Sequence, residues 1–307
     1  MMQILKKTNI NFVGMRYYAF LFSGILMILG IIAFIFIFMG RANLGIDFAG
    51  GTMIQGSFEK PMHIGQIRDA LSRNGYGDAD ITELKAREVP YFFMIRLKST
   101  AETGSKVANE VIDVLKKEFP DNNFRKDSVD EVGPAVGKIL QQQARFAVLI
   151  AMAGILVYIW IRFDFRFGVA ATIATFHDVL AVLGIMFVLH KEITLLIVTA
   201  LLTLAGYSLT DTVVIYDRIR ENLKLFRKRG DFAGTINVSI NEVLSRTIIT
   251  GGGTLLAVLS VFIFAGEVVH DFALALFIGI LVGTYSSWFV AAPIVLEWEK
   301  WSPKRFK

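Results

Sequence analysis

Six long apolar runs dominate the pattern of hydrophobic and polar positions along the chain. A membrane-crossing helix needs about 20 mostly apolar residues, because each residue adds about 1.5 Å along the helix axis. Six stretches reach this length and predict membrane spans 1 to 6: Tyr17–Met39, Ala144–Ile161, Gly168–Leu189, Ile193–Ile215, Thr247–Ala265 and Phe272–Leu296. Span 1 is too long for the apolar core of a secretory signal and no small-residue cleavage site follows it, so it predicts an uncleaved anchor.

Residues 40–141, between spans 1 and 2, have the alternating pattern of a soluble domain. The predicted elements are strand Gly50–Phe58, helix Met62–Asn74, strands Ala79–Glu88 and Tyr91–Ser99, helix Thr103–Phe119 and strand Phe124–Val132. This β-α-β-β-α-β order is the ferredoxin-like pattern, which serves many functions. The predicted fold class is therefore a membrane all-α six-helix bundle with an α+β ferredoxin-like extracytoplasmic domain.

The composition favours a membrane protein and excludes several other classes. Of the 307 residues, 54% are hydrophobic and 19% are charged, whereas soluble domains average about 45–50% and about 25%. The absence of cysteine excludes disulfide scaffolds and cysteine-ligated zinc or iron–sulfur sites. The sequence also lacks a P-loop and the H-E-x-x-H pattern, and Asp211 follows Ser-Leu-Thr rather than the Gly-x-Gly of an aspartyl protease dyad. We therefore expect no enzyme, no catalytic residue, no cofactor and no metal.

Lysine and arginine predict the orientation of the spans, because cytoplasmic loops are enriched in both. One side carries Lys6, Lys7, Arg16, Arg162, Arg166, Arg218, Arg220, Lys224, Arg227, Lys228, Arg229, Arg246, Lys300, Lys304, Arg305 and Lys307. The opposite short loops offer only Lys191. This predicts a cytoplasmic N-terminus with span 1 (1–39), an outside domain (40–141), spans 2 to 6 with a cytoplasmic loop at 216–246 (142–297), and a cytoplasmic tail (298–307). Topology thus accounts for the net charge of +5, and we expect no nucleic-acid partner.

Ionisable side chains inside the spans are the main functional candidates, because burying one in lipid costs about 2.5–3.5 kcal/mol on insertion scales. In span 4, helical spacing places Ser208, Asp211 and Thr212 on one face. An acid on a hydroxyl-rich face favours a proton relay, and the alternative is a hydrogen bond near the cytoplasmic interface. In span 3, the adjacent His177 and Asp178 predict either a proton-carrying pair or a polar clamp between helices.

Span 5 adds a cation and further hydroxyl groups. Arg246 stands at its start, with Thr250 and Thr254 at helical spacing on the same face. Arg246 stays charged and cannot carry the proton, but it can pair with Asp211 and be released when that acid is protonated; the alternative is an interfacial anchor. The run 251–253 of three glycines predicts close helix packing, as do the alanines of span 3 at 170, 171 and 174.

The segment Asp217–Phe232 is basic and amphipathic, and Ile219, Leu223 and Phe226 form its apolar stripe. Such a helix is typical of a membrane-surface or partner-docking segment. A solvated helix end that carries positive-inside charge is the alternative.

Four stretches together resemble the SecF family of the bacterial Sec protein-export machinery. They are Asn43–Thr52 (NLGIDFAGGT), Val132–Gly137 (VGPAVG), Gly206–Asn222 (GYSLTDTVVIYDRIREN) and Ser239–Thr247 (SINEVLSRT). The third stretch is highly specific, and the plan of six spans with one large outside domain also matches.

The resemblance implies half of a transporter of the resistance-nodulation-division (RND) type, paired with a SecD-like subunit that supplies the other half. The pair is expected to use the proton motive force to promote preprotein translocation and release on the outer side of the bacterial cytoplasmic (inner) membrane. The SecYEG channel and SecA are implied as indirect partners, beside the translocating preprotein and membrane lipid.

By motif match, Asp211 and Arg246 fall at the proton-coupling positions of the SecF family. The candidates for polar support around them are His177, Asp178, Ser208, Thr212, Thr250 and Thr254. The glycines at 251–253 depart from the family, in which Ser or Thr is frequent, so a hydroxyl chain along span 5 would rest on the two threonines alone. Gly45, Asp47, Gly50 and Gly51 suit a tight connection between span 1 and the first strand, which predicts a structural hinge.

Two other functions compete with assisted protein export. A stand-alone proton-driven exporter of small molecules is one, but such exporters usually contain the six-span unit twice and this chain shows no internal repeat, so it would have to form a homodimer. A passive structural clamp on the translocon is the other, and it predicts that neutral substitutions of Asp211 and Arg246 are tolerated.

Overall fold

The computed structural model of the chain describes residues 8–84, 90–98, 104–225 and 231–302. The helices are α1 (Arg16–Phe38), α2 (Ile46–Ala49), α3 (Ile64–Arg73), α4 (Gly104–Glu118), α5 (Pro134–Arg162), α6 (Phe165–Val188), α7 (Leu195–Leu225), α8 (Phe232–Phe264), α9 (Glu267–Ser286) and α10 (Ala292–Trp301). A short 3₁₀ helix, Val13–Met15, precedes α1, and a π-helical turn, Ser287–Ala291, joins α9 to α10. The strands are β1 (Gly51–Phe58), β2 (Asp80–Leu84), β3 (Phe92–Lys98) and β4 (Phe124–Val132).

The structure confirms the predicted fold class. Six helical segments of the described chain are long and apolar enough to cross a membrane: α1, α5, α6, α7, α8 and the last span formed by α9 and α10. The four strands form one antiparallel sheet in the order β2-β3-β1-β4, which is the ferredoxin-like arrangement. The predicted strand Ala79–Glu88 ends at Leu84 as far as the structure describes it, since 85–88 lie outside the described residues, as do Ser99 and Thr103 at two other predicted ends.

The chain divides into two compact units. One unit contains the membrane helices, with α5 from Val148 and α7 from Leu196. The other contains Asn43–Ala147 and the short segment Glu192–Leu195. The sheet of this second unit buries Ile54 and Ile95, which are paired across β1 and β3, against Ile67 of α3 and Leu115 of α4, and all four are fully buried. The apolar residues that alternate along the strands thus form one face of the sheet, and the apolar faces of the two helices cover it.

The membrane unit has an interior made of α6, α7 and the last span. Each of these is about half buried over its apolar window, at 50–56%, whereas α5 and α8 bury only 6% and 11%. The alanines of α6 at 170, 171 and 174 are at most 1% exposed, which agrees with the close packing predicted for them. The glycines of span 5 behave differently, because a Cβ at Gly252 or Gly253 would meet no described heavy atom within 4 Å. Packing within this chain therefore does not explain those two glycines.

Two membrane helices extend well into the predicted loop 216–246. Helix α7 continues to Leu225 and α8 already begins at Phe232, so Arg246 lies inside a helix of 33 residues rather than at its start. Ile219 is fully buried and Leu223 packs against the same apolar cluster, so this part of the stripe faces the bundle rather than a membrane surface or a partner. Apolar contact between the two extensions explains why they remain helical. Phe226 and the basic residues at 6, 7, 227–229, 304, 305 and 307 lie outside the described residues.

Candidate functional site

Asp178 forms the most completely bonded polar centre of the membrane unit. Its side chain is fully buried, and Ser286 donates a hydrogen bond of 2.8 Å to its Oδ2 atom, which also accepts from Ser208. The Nδ1 atom of His177 lies 2.8 Å from the other carboxylate oxygen. Three partners on α6, α7 and α9 thus satisfy this acid. Such saturation favours the polar clamp among the two interpretations of the sequence, because the carboxylate ties three helices together.

Asp211 has a different environment, although it lies less than one helical turn from Ser208. Its side chain is buried, with 7% of the residue exposed, and its Oδ2 atom has no hydrogen-bond partner among the described residues. Thr284 of α9 lies beside this carboxylate, but the Thr284 hydroxyl makes no hydrogen bond of good geometry. A buried carboxylate with unused acceptor capacity is costly unless a proton, water or a cation satisfies it.

Arg246 is the cation that acts on Asp211. It interacts with the carboxylate electrostatically across α7 and α8, but no ion pair within 4 Å joins these two described residues. The Arg246 side chain is exposed on α8, a helix whose apolar window is only 11% buried. The structure therefore brings the two predicted proton-coupling residues near one another and leaves the arginine on an uncovered helix face.

The predicted supporting hydroxyls divide into two groups. Thr250 and Thr254 donate to backbone carbonyls of their own helix, at 2.9 and 3.0 Å from the oxygens of Arg246 and Thr250. Thr212 instead reaches another helix, where its hydroxyl lies 2.9 Å from that of Ser287. Ser208 and Thr212 form side-chain hydrogen bonds that join α7 to its neighbours, and Thr254 of α8 interacts with the Tyr207 side chain of α7.

The sequence reasoning missed several polar residues of this region. Tyr207, Thr284 and Ser286 are close to Asp211 or Asp178. The buried Tyr207 hydroxyl lies beside Thr254 but makes no hydrogen bond of good geometry in the described structure. A signal was present, since span 6 contains a rare polar run, Thr-Tyr-Ser-Ser at 284–287, inside an apolar stretch. The prediction considered only acidic and basic side chains inside the spans, so it did not include this run of hydroxyl groups.

The predicted hinge residues form a dense junction in the second unit. Gly50 and Gly51 have φ angles of +74° and +149°, which side chains other than glycine rarely adopt. A Cβ at Gly45 would lie 2.7 Å from the Thr194 side chain. Asp47 accepts a hydrogen bond of 2.9 Å from the backbone of Leu195 through its Oδ2 atom. The three glycines thus allow a turn and a close approach that other residues would obstruct.

The segment 192–195 is held to this junction by further contacts. Backbone hydrogen bonds join Gly45 to the Ile193 carbonyl at 3.0 Å and Ile193 to the Asn43 carbonyl at 2.8 Å. Arg96 of β3 forms an ion pair with Glu192. The glycine motif and the segment before α7 therefore form one hydrogen-bonded structure.

The described residues contain no group of three or more His, Cys, Asp or Glu side chains that could hold a metal ion. The site in the membrane unit consists of two acids, one histidine, one arginine and a set of hydroxyls. Carboxylates and imidazoles can bind and release protons, and an arginine can stabilise an ionised carboxylate.

Two family models match the chain. Residues 111–301 match the family described as "Protein export membrane protein SecD/SecF, C-terminal", and residues 35–62 match the "SecD/SecF GG Motif". The second match contains Gly45, Asp47, Gly50 and Gly51, and the first contains all the intramembrane candidates.

Individual relatives give the same result over nearly full length. The chain is 51% identical to the protein translocase subunit SecF of Thermodesulfovibrio yellowstonii over 301 residues, which cover 96% of this chain and 97% of that relative. It is 38% identical to the corresponding subunit of Endomicrobium trichonymphae, with 100% and 96% covered.

Among solved structures, the chain resembles SecDF from Thermus thermophilus, a translocon-associated membrane protein. The TM-score is 0.81 at 35% sequence identity, and the match covers 95% of this chain but only 39% of that one. A SecDF structure in the super-membrane-facing form gives a TM-score of 0.69 at 35% identity, with 98% and 40% covered. The chain thus spans about two fifths of the SecDF chains that it resembles.

Proposed function

This multi-pass membrane chain belongs to the SecF family of protein translocase subunits, and on that premise we propose that it uses the proton motive force to promote preprotein translocation and release. Asp211 binds and releases the coupling proton, and Arg246 holds the ionised carboxylate when the proton has left. The spans respond to this change of charge by shifting between two packings, and the outside domain moves with them.

The unsatisfied carboxylate of Asp211 is the observation that carries this proposal. A purely structural acid in lipid is expected to have all its acceptor sites used, as Asp178 has. Asp211 instead keeps a buried oxygen available and has a cation nearby that is not locked to it. An acid in this environment suits a group that binds and releases a proton during each transport cycle.

A SecD-like subunit is the partner that we propose for the uncovered face of the membrane unit. The apolar windows of α5 and α8 are only 6% and 11% buried within the described chain, and Arg246 is exposed on α8. The solved SecDF chains are about two and a half times as long as the stretch that this chain matches. A partner of the same build would cover α8 and shield the arginine, and the SecYEG channel, SecA and the preprotein would act around this pair.

The distribution of charge supports a location in the bacterial cytoplasmic membrane with both termini in the cytoplasm. Arg162, Arg166 and Arg218 lie at one end of the described membrane helices and pair there with Asp217, Glu299 and Glu242. The opposite ends carry few basic residues, and Lys191 there pairs with Asp271. This is the asymmetry of positive-inside topology.

The alternative of a stand-alone exporter acting as a homodimer has less support. The relatives of nearly equal length are named translocase subunits. In the solved structures, the stretch that matches this chain is part of a longer SecDF chain. Purification in mild detergent separates the two functions, since a self-paired dimer without a larger partner would favour the exporter.

The decisive experiment replaces Asp211 by asparagine in the complete complex. Preprotein translocation is measured in inverted membrane vesicles with and without a proton gradient. We expect Asp211→Asn to lose the gradient-dependent part and to keep the gradient-independent part. Asp217→Asn is the matched control, because Asp217 lies on the same helix but is 42% exposed and paired with Arg162. Unchanged gradient dependence in an Asp211→Asn complex that accumulates normally would refute the proposal.

A further inference from the structure

In the part of the membrane unit that the structure describes, three buried oxygen atoms from two helices lie close together and make no hydrogen bond of good geometry. They are Asp211 Oδ2 and the Tyr207 hydroxyl on α7, and the Thr284 hydroxyl on α9. Tyr207 interacts with Asp211 electrostatically and Thr284 lies beside the same carboxylate. Unsatisfied buried polar atoms are rare in native proteins, and several in one place indicate a shared polar ligand.

Gly251 supplies the room for such a ligand. A Cβ at this position would lie 3.6 Å from both the Tyr207 hydroxyl and the Thr284 hydroxyl. At Gly251 itself, α8 therefore presents no side chain to these two oxygens, while Thr254, three residues further along α8, interacts with Tyr207. A polar space lined by three hydrogen-bonding atoms meets the two requirements for a bound water molecule, which are room and two to four polar partners.

We propose that Tyr207, Thr284 and Gly251 form a water-binding site that delivers the proton to Asp211. This inference rests on the proposed proton-coupled function and adds to it the residues that hold the last donor. A proton that reaches the bound water leaves it for Asp211 Oδ2, so a hydronium and a carboxylate become a neutral water and a neutral carboxylic acid. The two hydroxyls donate to and accept from the water, because each has one O–H and free lone pairs.

The site also explains why three glycines in succession need not be equivalent. Among them only Gly251 faces the two hydroxyls, since a Cβ at Gly252 or Gly253 would meet no described heavy atom within 4 Å. Hydroxyl groups of α7 and α9 thus face Gly251, and water connects them to Asp211. Tyr207 and Thr284 act through this water and are positioning residues.

Substitutions of Gly251, with a glycine outside the site as the control, provide a matched test. Gly251→Ala adds an apolar methyl group beside both hydroxyls, at a distance that causes no clash. In the complex with its SecD-like partner in proteoliposomes, we expect this change to lower gradient-driven proton entry by about tenfold or more. Gly251→Ser places a hydroxyl at the same point and should restore most of the rate. Gly24→Ala makes the same chemical change in α1, where a Cβ would meet no described heavy atom within 4 Å, and should leave the rate unchanged.

Substitutions of the oxygen atoms give an independent second measurement. Tyr207→Phe and Thr284→Val remove one hydroxyl each with little change of shape, and both should slow proton entry while the complex keeps its thermal stability. Ordered water within hydrogen-bond distance of the three oxygens, in a high-resolution structure of the complex, is the direct observation. Normal rates in Gly251→Ala, Tyr207→Phe and Thr284→Val would overturn the water site even if Asp211→Asn abolished proton entry. Normal proton entry in Asp211→Asn would instead overturn the proposed function itself.

Discussion

The carboxylate of Asp47 accepts a hydrogen bond of 2.9 Å from the backbone amide of Leu195, the residue at which α7 begins. The first amides of a helix have no partner within the helix, and a negative charge close to them is favourable. An acid that is distant in sequence thus stabilises the start of the helix that carries Asp211.

Replacing Asp47 tests this capping contact. We expect Asp47→Ala to lower the free energy of unfolding by about 0.5–2 kcal/mol, as the loss of a helix cap does, while Asp47→Asn keeps an acceptor and loses less. The measurement is thermal unfolding of the purified complex in detergent. Asp127→Ala is the control, because Asp127 is an exposed acid in the same unit. Equal effects of Asp47→Ala and Asp127→Ala would show that the contact contributes nothing to stability.

Gly30 and Gly184 allow α1 and α6 to approach closely. A Cβ at Gly30 would lie 2.2 Å from the backbone oxygen of Leu180, and a Cβ at Gly184 would lie 2.6 Å from the nitrogen of Gly30. We expect Gly30→Ala to force the helices apart at a cost of about 1–3 kcal/mol, measured as a lower unfolding temperature and less protein in the membrane. Gly24→Ala lies on the same helix with open space around its Cβ and should have no such effect.

Asp178 offers a test of clamp against relay. Because it accepts hydrogen bonds from helices of three spans, we expect Asp178→Asn to destabilise the complex by about 1–3 kcal/mol while proton entry continues. Ser286→Ala removes one donor and should cost less, about 0.5–1.5 kcal/mol. Unfolding temperature and proton flux are measured on the same preparations. Loss of proton flux at unchanged stability would identify Asp178 as a relay instead.

Arg246 is expected to act through its charge. Arg246→Gln should reduce gradient-driven translocation by about tenfold, equivalent to roughly 1.4 kcal/mol, because the ionised Asp211 loses its cation in a region of low dielectric constant. Arg246→Lys should keep part of the activity, since it retains the charge but not the planar fork of donors. If lysine and glutamine gave the same rate, the role of Arg246 would lie in shape or packing.

The hydrophobic pattern is sufficient to predict the spans, because a helix that crosses lipid must be apolar along its own length. The run that ends at Met39 and the one that begins at Gly168 are apolar whatever their neighbours are, and both became membrane helices. The boundaries in polar regions were less accurate. Span 5 was predicted from Thr247, but α8 begins at Phe232, because its first turns pack on the extension of α7 through contacts that one-dimensional periodicity does not contain.

The sequence by itself determined the six spans, the ferredoxin-like order of strands, the family and the candidate acid and arginine, because each follows from residues that are close together along the chain. Only the tertiary structure decided which acid is satisfied and which is not. Asp178 and Asp211 both carry carboxylates in apolar helices. Asp178 accepts a hydrogen bond from Ser286, whereas Asp211 lies beside the Thr284 hydroxyl without a hydrogen bond of good geometry. Hydrogen bonds form between atoms within about 3 Å of each other, and residues more than a hundred positions apart reach that distance only when the helices have packed.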